Sequence, residues 1–213
     1  MKLLVNEIFF SIQGESTHAG LPCVFIRLTG CNLRCSYCDS PYAYTEGTWM
    51  SHQEILLAIR SRGKGLVEVT GGEPLLQESC PDLLEQMVQM DYTVLVETNG
   101  SRDIRSLPKK AVCILDMKCP SSGMNDRMLM ENLEYLREKD ELKFVLQTRE
   151  DYDWARQCIQ RSLRVSPGKV LFSPAHNLLE SRRLAEWILQ DRLPVRLHLP
   201  IHPILWPDKP RGR

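Results

Sequence analysis

Cys31-Asn32-Leu33-Arg34-Cys35-Ser36-Tyr37-Cys38-Asp39-Ser40 is the stretch on which the reading of this 213-residue chain turns. Its three thiols are separated by three and then two residues, and no fourth cysteine or nearby histidine completes the set. A structural zinc ion closes its tetrahedron with four protein ligands, and an electron-transfer iron–sulfur cluster is likewise held by four cysteines. Three ligands imply a cluster that leaves one iron open for another molecule. Two plainer readings stand beside this one: a zinc knuckle borrowing Cys23 or His52, and three buried thiols with no ligand at all. The company the motif keeps along the chain demotes both.

The chain is long enough to bury a full core as one domain without staples. Apolar residues make up 43 % and charged residues 25 % of it, as in an ordinary soluble globular protein. With 27 basic and 27 acidic side chains there is no global electrostatic case for a nucleic-acid or membrane partner. No apolar run approaches a membrane span, and Glu7 interrupts the opening Met1 to Asn6 where a signal peptide would stay apolar. Together these features predict a cytoplasmic protein. Cysteines in a reducing compartment argue for metal or redox chemistry rather than disulfides. Cys23, Cys80, Cys113, Cys119 and Cys158 read as packing residues, since a free thiol behaves as a small hydrophobe.

Val5 to Gly14 reads as a strand with Phe9 and Phe10 buried, and Cys23 to Thr29 as a second strand whose apolar continuity suggests burial on both faces. Arg27 lies inside it. A buried guanidinium is costly unless it meets an anion, so Arg27 either faces a ligand carboxylate or sits on a solvated face. Ser51-His52-Gln53-Glu54 has the form of a capping box opening a helix. Further strands are expected at 66–70, 93–97, 111–115, 142–146, 170–172 and 195–199. Helices are expected at 81–90, 127–139, 151–161 and through Leu184, Ala185 and Ile188.

Alternating strands and helices argue for parallel βα units. The unusual residues all follow strand ends: the cysteines, Gly71 to Pro74, Glu97 to Gly100, Asp116 to Lys118 and Ser173 to His176. Barrels of βα units place their chemistry on that face, and a full one needs about 250 residues, so this chain has room for about six units. The expectation is an α/β fold: a partial, open, roughly six-unit β/α barrel. An open doubly wound sheet is the alternative, which would put its ligand at one switch point. The single domain runs over 1–213, with an N-terminal strand and cap at 1–22 and a proline-rich tail at 200–213.

The cysteine spacing, together with Gly71-Gly72-Glu73-Pro74 at the next strand end, resembles the radical S-adenosylmethionine enzymes. In that family the open iron of a 4Fe-4S cluster chelates the amino and carboxylate groups of S-adenosylmethionine, and Gly-Gly-Glu-Pro holds the methionyl amine. One electron splits the sulfonium and releases a 5′-deoxyadenosyl radical. Alone, Gly-Gly-Glu-Pro would pass for an ordinary turn.

A narrower resemblance rests on Gln13-Gly14-Glu15 ahead of Gly20-Leu21-Pro22, on Phe25 to Leu33, and on Tyr37-Cys38-Asp39-Ser40. Thr70 to Pro74, Glu97 to Gly100 and Asp116 to Gly123 extend it over nearly the whole chain. These blocks resemble the 7-carboxy-7-deazaguanine synthase family of the queuosine and deazapurine pathway. The resemblance implies a lyase acting on 6-carboxy-5,6,7,8-tetrahydropterin: hydrogen leaves C6, the ring contracts, ammonia departs, and S-adenosylmethionine is regenerated. It implies that Cys31, Cys35 and Cys38 hold the cluster. Tyr37, Cys38, Asp39, Gly72, Glu73, Asp116, Met117, Lys118, Ser173, Pro174, Ala175 and His176 would line the S-adenosylmethionine site. Ile12, Gln13, Gly14, Arg27 and Thr70 would meet the substrate, and Ser40 would take a Mg²⁺ position. The carboxylate of a pterin suits two parallel hydrogen bonds from Arg27, and its amino-pyrimidinone edge suits Gln13, Glu15 or Glu97. A reductant such as flavodoxin and a homodimer complete the implied partners.

Two departures stand out. Serine replaces the family's usual threonine at position 40, where a turn serine is the plainer reading. Ile201-His202-Pro203 lacks the lysine of the usual Leu-His-Lys. The tail either folds over the substrate, with His202 or the carboxylate of Arg213 lining the pocket, or frays. Competing functions are an activase that makes a glycyl radical on a partner protein and a non-catalytic metal-binding module.

Overall fold

Seven parallel strands form the body of the sheet, and in a computed structural model their order follows the chain. The structure describes residues 1–63, 65–161, 164–209 and 211–212. Strand β1 (Lys2–Ile12) runs antiparallel to both β2 (Pro22–Leu28) and β3 (Thr48–Ser51). From β2 onward every pairing is parallel, through β4 (Leu66–Gly71), β5 (Thr93–Thr98), β6 (Val112–Lys118), β7 (Glu141–Leu146), β8 (Val170–Pro174) and the two-residue β9 (Arg196–Leu197). The sheet order is β3-β1-β2-β4-β5-β6-β7-β8-β9, with the edge strands β3 and β9 unjoined, so the sheet stays open. This is the expected partial barrel, one strand larger than the sequence suggested.

Alternation along each strand separates two environments. Val24, Ile26 and Leu28, then Val67 and Val69, Val94 and Val96, Leu142, Phe144 and Leu146 join one continuous apolar core. Helices α1 (His52–Arg60), α2 (Cys80–Gln89), α4 (Arg149–Ile159) and α5 (Ser181–Gln190) contribute Ile55, Leu83, Tyr152 and Leu184 to it. The intervening strand positions carry Arg27, Glu68, Thr70, Glu97, Asp116, Lys143 and Ser173, which line a cavity instead. The polar lumen thus depends on a fully apolar outer layer that buries the opposite strand face.

Local chemistry sets the helix starts. Ser51 Oγ accepts the Glu54 N–H while the Glu54 carboxylate accepts the Ser51 N–H at 2.7 Å, the predicted capping box. Thr148 and Asp151 form a second box at α4, and the buried Asp151 also accepts from Ser121 N at 2.8 Å, tying α4 to the loop after β6.

Three expectations need correction. The segment 127–139 is not a helix: only the single turn α3 (Asn132–Tyr135) forms there. Leu129 N donates to Gly100 O, and the buried Asn132 amide bonds Gly100 O, Arg102 O and Ile104 N. Tertiary hydrogen bonds to the loop after β5 thus replace the helical ladder. The strand expected at 195–199 is reduced to β9, although His198 N still donates to Phe172 O at 2.9 Å. Phe9 stacks on Phe25 with ring centroids 4.9 Å apart, but Phe10 is 56 % exposed, because the two alternate across β1 and that antiparallel strand has one open face. The five cysteines outside the motif are all buried, as expected.

Candidate active site

The C-terminal ends of β2 and β4 to β8 surround a cavity of about 900 Å³. The turn after β2 brings Cys31, Cys35, Tyr37, Cys38, Asp39 and Ser40 to one wall. Gly72, from the loop after β4, packs so closely that a Cβ there would lie 2.1 Å from Gly30 O and 2.8 Å from Cys31 Cβ. Glu73 is fully buried behind this contact, and its carboxylate accepts from Leu75 N (2.9 Å), Thr98 Oγ1 (2.7 Å) and Asn99 N (2.7 Å). The expected role for that side chain is therefore corrected: it stitches the glycine loop to the end of β5 and does not line the cavity. Burial pushes its carboxyl above the usual range even so.

Gln13, Gly14, Glu15, Arg27, Thr70 and Glu97 occupy the opposite part of the same cavity. The Arg27 Nε donates to Glu7 at 2.8 Å, and the guanidinium lies 5.8 Å from the centroids of both Phe9 and Tyr42. Its Nη groups make no hydrogen bond to a described residue, which leaves the fork open for a carboxylate. The choice left open by the sequence falls on the cavity side. Asp116, Lys118 and the turn from Ser173 to His176 close the third wall. Ile12 ends β1 outside the lining, and Met117 points into the core. Arg213 lies outside the described residues.

The tail crosses the cavity mouth. Ile201 N donates to Gly14 O at 2.9 Å, and a Cβ at Gly14 would meet the His202 ring at 2.7 Å. Helix α6 (His202–Leu205) follows, and Arg211 pairs with Glu46 at 2.7 Å while lying 4.2 Å over the Tyr42 ring. Of the two fates allowed by the sequence, the described part of the tail takes the folded one.

Lys143 and Glu68 were missed. Lys143, buried on β7, pairs with Glu15, with Glu97 at 2.7 Å and with Asp116 at 3.4 Å, so one ammonium joins three elements. Burial works against its charge, yet these carboxylates hold it well above the usual lysine range. Lys118 pairs with Asp116 at 2.9 Å and is likewise held high despite its burial. Glu68 on β4 accepts from the Gln13 amide, and burial with the neighbouring Glu97 pushes its carboxyl up to about 8. Asn99 points its amide at Cys31 Sγ over 3.7 Å. His198 is buried beside Ser173, with Nδ1 2.7 Å from the hydroxyl. A charged residue inside an apolar strand was the available signal, in Val67-Glu68-Val69 and Leu142-Lys143-Phe144 as much as around Arg27.

Comparison with known proteins accounts for this arrangement. Residues 25–116 match the Radical SAM superfamily. The 7-carboxy-7-deazaguanine synthase of Koribacter versatilis is 43 % identical, covering 98 % of this chain and 99 % of its own. That of Chlorobaculum tepidum is 40 % identical, over 99 % and 97 % respectively. This chain belongs to the 7-carboxy-7-deazaguanine synthase family. The crystal structure of QueE from Escherichia coli shares the fold, with a TM-score of 0.77 at 21 % identity over 93 % of this chain and 94 % of that one.

Membership in the 7-carboxy-7-deazaguanine synthase family implies a 4Fe-4S cluster and S-adenosylmethionine, and the residues present fit both. Among the described residues no three His, Cys, Asp or Glu side chains converge on one metal ion, whereas a cubane presents separate irons to its thiolates. The zinc alternative loses its fourth ligand: Cys23 sits at the opposite end of β2, and His52, at the start of α1, is not among the residues lining the cavity that Cys31, Cys35 and Cys38 share. Burial raises the thiols of Cys31 and Cys35, with Lys118 pulling Cys35 back. Beside them Asp116 Oδ1 is buried and has no hydrogen-bond partner among the described residues, an acceptor for a polar cofactor.

Proposed function

We propose that this chain converts 6-carboxy-5,6,7,8-tetrahydropterin to 7-carboxy-7-deazaguanine with loss of ammonia, as a radical S-adenosylmethionine lyase of queuosine biosynthesis. The observation that carries the reading is that the three-cysteine loop and the open Arg27 fork face one cavity. Cys31, Cys35 and Cys38 hold the cluster. When bound, cluster and S-adenosylmethionine supply the 5′-deoxyadenosyl radical that takes hydrogen from C6. Asp116, Lys118 and the Ser173–His176 turn hold the cofactor's polar groups, with Tyr37, Asp39 and Gly72 along its edge.

On the substrate side, Arg27 engages the carboxylate with its Nη groups. Gln13, Glu15, Thr70 and Glu97 read the ring, and His202 closes over it from the tail. Lys143 keeps Glu15 and Glu97 aligned and neutralises part of their charge. The tail excludes water from the reacting carbon. Ser40 supplies a hard oxygen for Mg²⁺; its hydroxyl makes no capping bond to the turn that follows it. The chain acts as one domain, with an N-terminal strand and cap at 1–22 and a proline-rich tail at 200–213. It works in the cytoplasm as a homodimer with a flavodoxin-type reductant; none of its described helices is long and apolar enough to cross a membrane.

The test is anaerobic turnover of reconstituted protein with dithionite, S-adenosylmethionine, Mg²⁺ and the carboxypterin, with mass analysis of products. Carboxydeazaguanine without stoichiometric loss of S-adenosylmethionine is the expected result. Accumulation of deoxyadenosine and methionine alone would overturn the substrate and move the activase reading ahead. Full activity in metal-free buffer would remove Mg²⁺ from the scheme.

A further inference from the structure

The floor of the cavity holds more carboxylates than cations. Lys143 serves Glu15, Glu97 and Asp116, Lys118 serves Asp116 again, and Arg27 serves Glu7. Glu68 forms no ion pair with any described residue. It is 5 % exposed, and the donor that meets it is the neutral Gln13 amide. A lone carboxylate in such a place protonates rather than bear the desolvation cost.

A backbone donor fixes which end of the Gln13 amide is nitrogen. Gln13 Oε1 accepts from Glu15 N at 3.0 Å while Gln13 Nε2 donates to Glu68. Turned over, the amide would set two donors against each other at the Glu15 N–H, which can only donate, whereas a protonated Glu68 could meet either end. One amide hydrogen and one oxygen lone pair remain for a ligand.

We propose that Glu68 is a positioning residue for the substrate ring: in its uncharged form it receives the Gln13 amide that the Glu15 N–H orients, and it keeps a further negative charge from beneath an anionic substrate. The proposal rests on the pterin reading above. The titratable groups facing Glu68 are Glu97 on β5, Glu15 after β1, Lys143 on β7 and the Cys23 thiol on β2. Burial and Glu97, with Glu15 behind it, outweigh the opposing pull of Gln13 and Lys143, in keeping with a carboxyl raised to about 8. Thr70, two residues along the same strand face, bonds Glu97 at 3.2 Å, so the two acids are held in one wall.

The experiment compares reconstituted wild-type enzyme with E68Q and E68A, following KM for the carboxypterin and kcat from about pH 6.5 to about pH 9.5. Infrared spectra of the proteins without substrate follow the protonated-carboxyl band over the same range. Wild-type KM is expected to rise above about pH 8, by roughly tenfold at the alkaline end, as charge develops beside Glu97. E68Q, a neutral isostere that still accepts from Gln13, is expected to lack that alkaline rise and to stay within about twofold at neutral pH. E68A is expected to raise KM roughly fivefold to tenfold at every pH, with kcat changed less. The band lost by wild type between neutral and alkaline pH should be missing from E68Q. Should E68A not fold, E68Q against wild type decides the matter. A neutral-pH loss in E68Q as large as in E68A, an alkaline rise that survives in E68Q, or identical infrared titrations would each overturn the proposal. A wild type that binds no carboxypterin, but whose infrared band titrates through Glu68, would instead overturn the substrate reading.

Discussion

Replacing Gly72 by alanine tests whether the contact between the glycine loop and the cysteine loop holds the cluster site in place. The new methyl would lie 2.1 Å from Gly30 O, 2.5 Å from Gly30 C and 2.8 Å from Cys31 Cβ, where ordinary contact begins at 3.4 Å. Both loops are backbone at this point, so one must retreat by roughly 1 Å or more. Two hydrogen bonds cross the same junction, Gly72 N to Leu28 O at 3.1 Å and Glu73 N to Gly30 O at 2.7 Å. Overpacking of this kind costs about 1–3 kcal/mol, and each bond about 0.5–1.5 kcal/mol. A destabilisation of about 2–6 kcal/mol follows, which for a chain of this size lowers Tm by about 4–24 °C. Thermal unfolding of the iron-free protein isolates the packing term, and iron and sulfide content after anaerobic reconstitution reads displacement of Cys31. Gly168→Ala is the control, because its Cβ would meet nothing within 4 Å. If G72A melts within about 2 °C of wild type and loads a full cluster, the close approach is not what sets the site.

Cys35→Ala should assemble no stable cluster and show no turnover; retained iron and activity would remove Cys35 from the ligand set. Arg27→Ala loses charge-assisted bonds worth about 1.5–3 kcal/mol and should raise KM for the carboxypterin roughly tenfold to a hundredfold. Its S-adenosylmethionine cleavage by dithionite should persist, and equal loss of both activities would mean that Arg27 only supports β2 against Glu7. His198 contributes a pH dependence to stability. Burial, outweighing the nearby Glu15, pushes its imidazole below the ordinary 6.5. The folded state then binds fewer protons than the unfolded one from about pH 6.5 downward, so this contribution to stability is lost as pH falls below that value. Denaturant midpoints measured at about pH 7.5 and about pH 5.5 should differ less in His198→Asn than in wild type. An unchanged difference would assign the acid sensitivity to other groups.

Much of this was legible because local rules and tertiary context agree. Ser51 and Glu54 start α1 where the capping box says, and the valines of β4 and β5 form strands where their apolar runs lie. Legibility failed where tertiary bonds overrode local preference. Residues 127–139 carry a helical apolar spacing, yet Asn132 is drawn to the loop after β5 and the ladder never forms. Glu73 illustrates a different limit. Its motif identifies the loop, but only the fold shows the carboxylate turned toward Thr98 and Asn99 and away from the cavity.

By itself the sequence determined the chemistry class and the succession of βα units, because three thiols without a fourth ligand, and polar turns after strands, are properties of spacing along the chain. Which charged residues share the lumen was decided only in three dimensions. Lys143 lies far along the chain from Glu97, and the two meet because parallel pairing in register puts alternate residues of β5, β6 and β7 on one inner face, to which the loop after β1 adds Glu15. In that low-dielectric floor each charge depends on partners from other strands, and so do the pairing of Lys143 and the lack of a cation for Glu68.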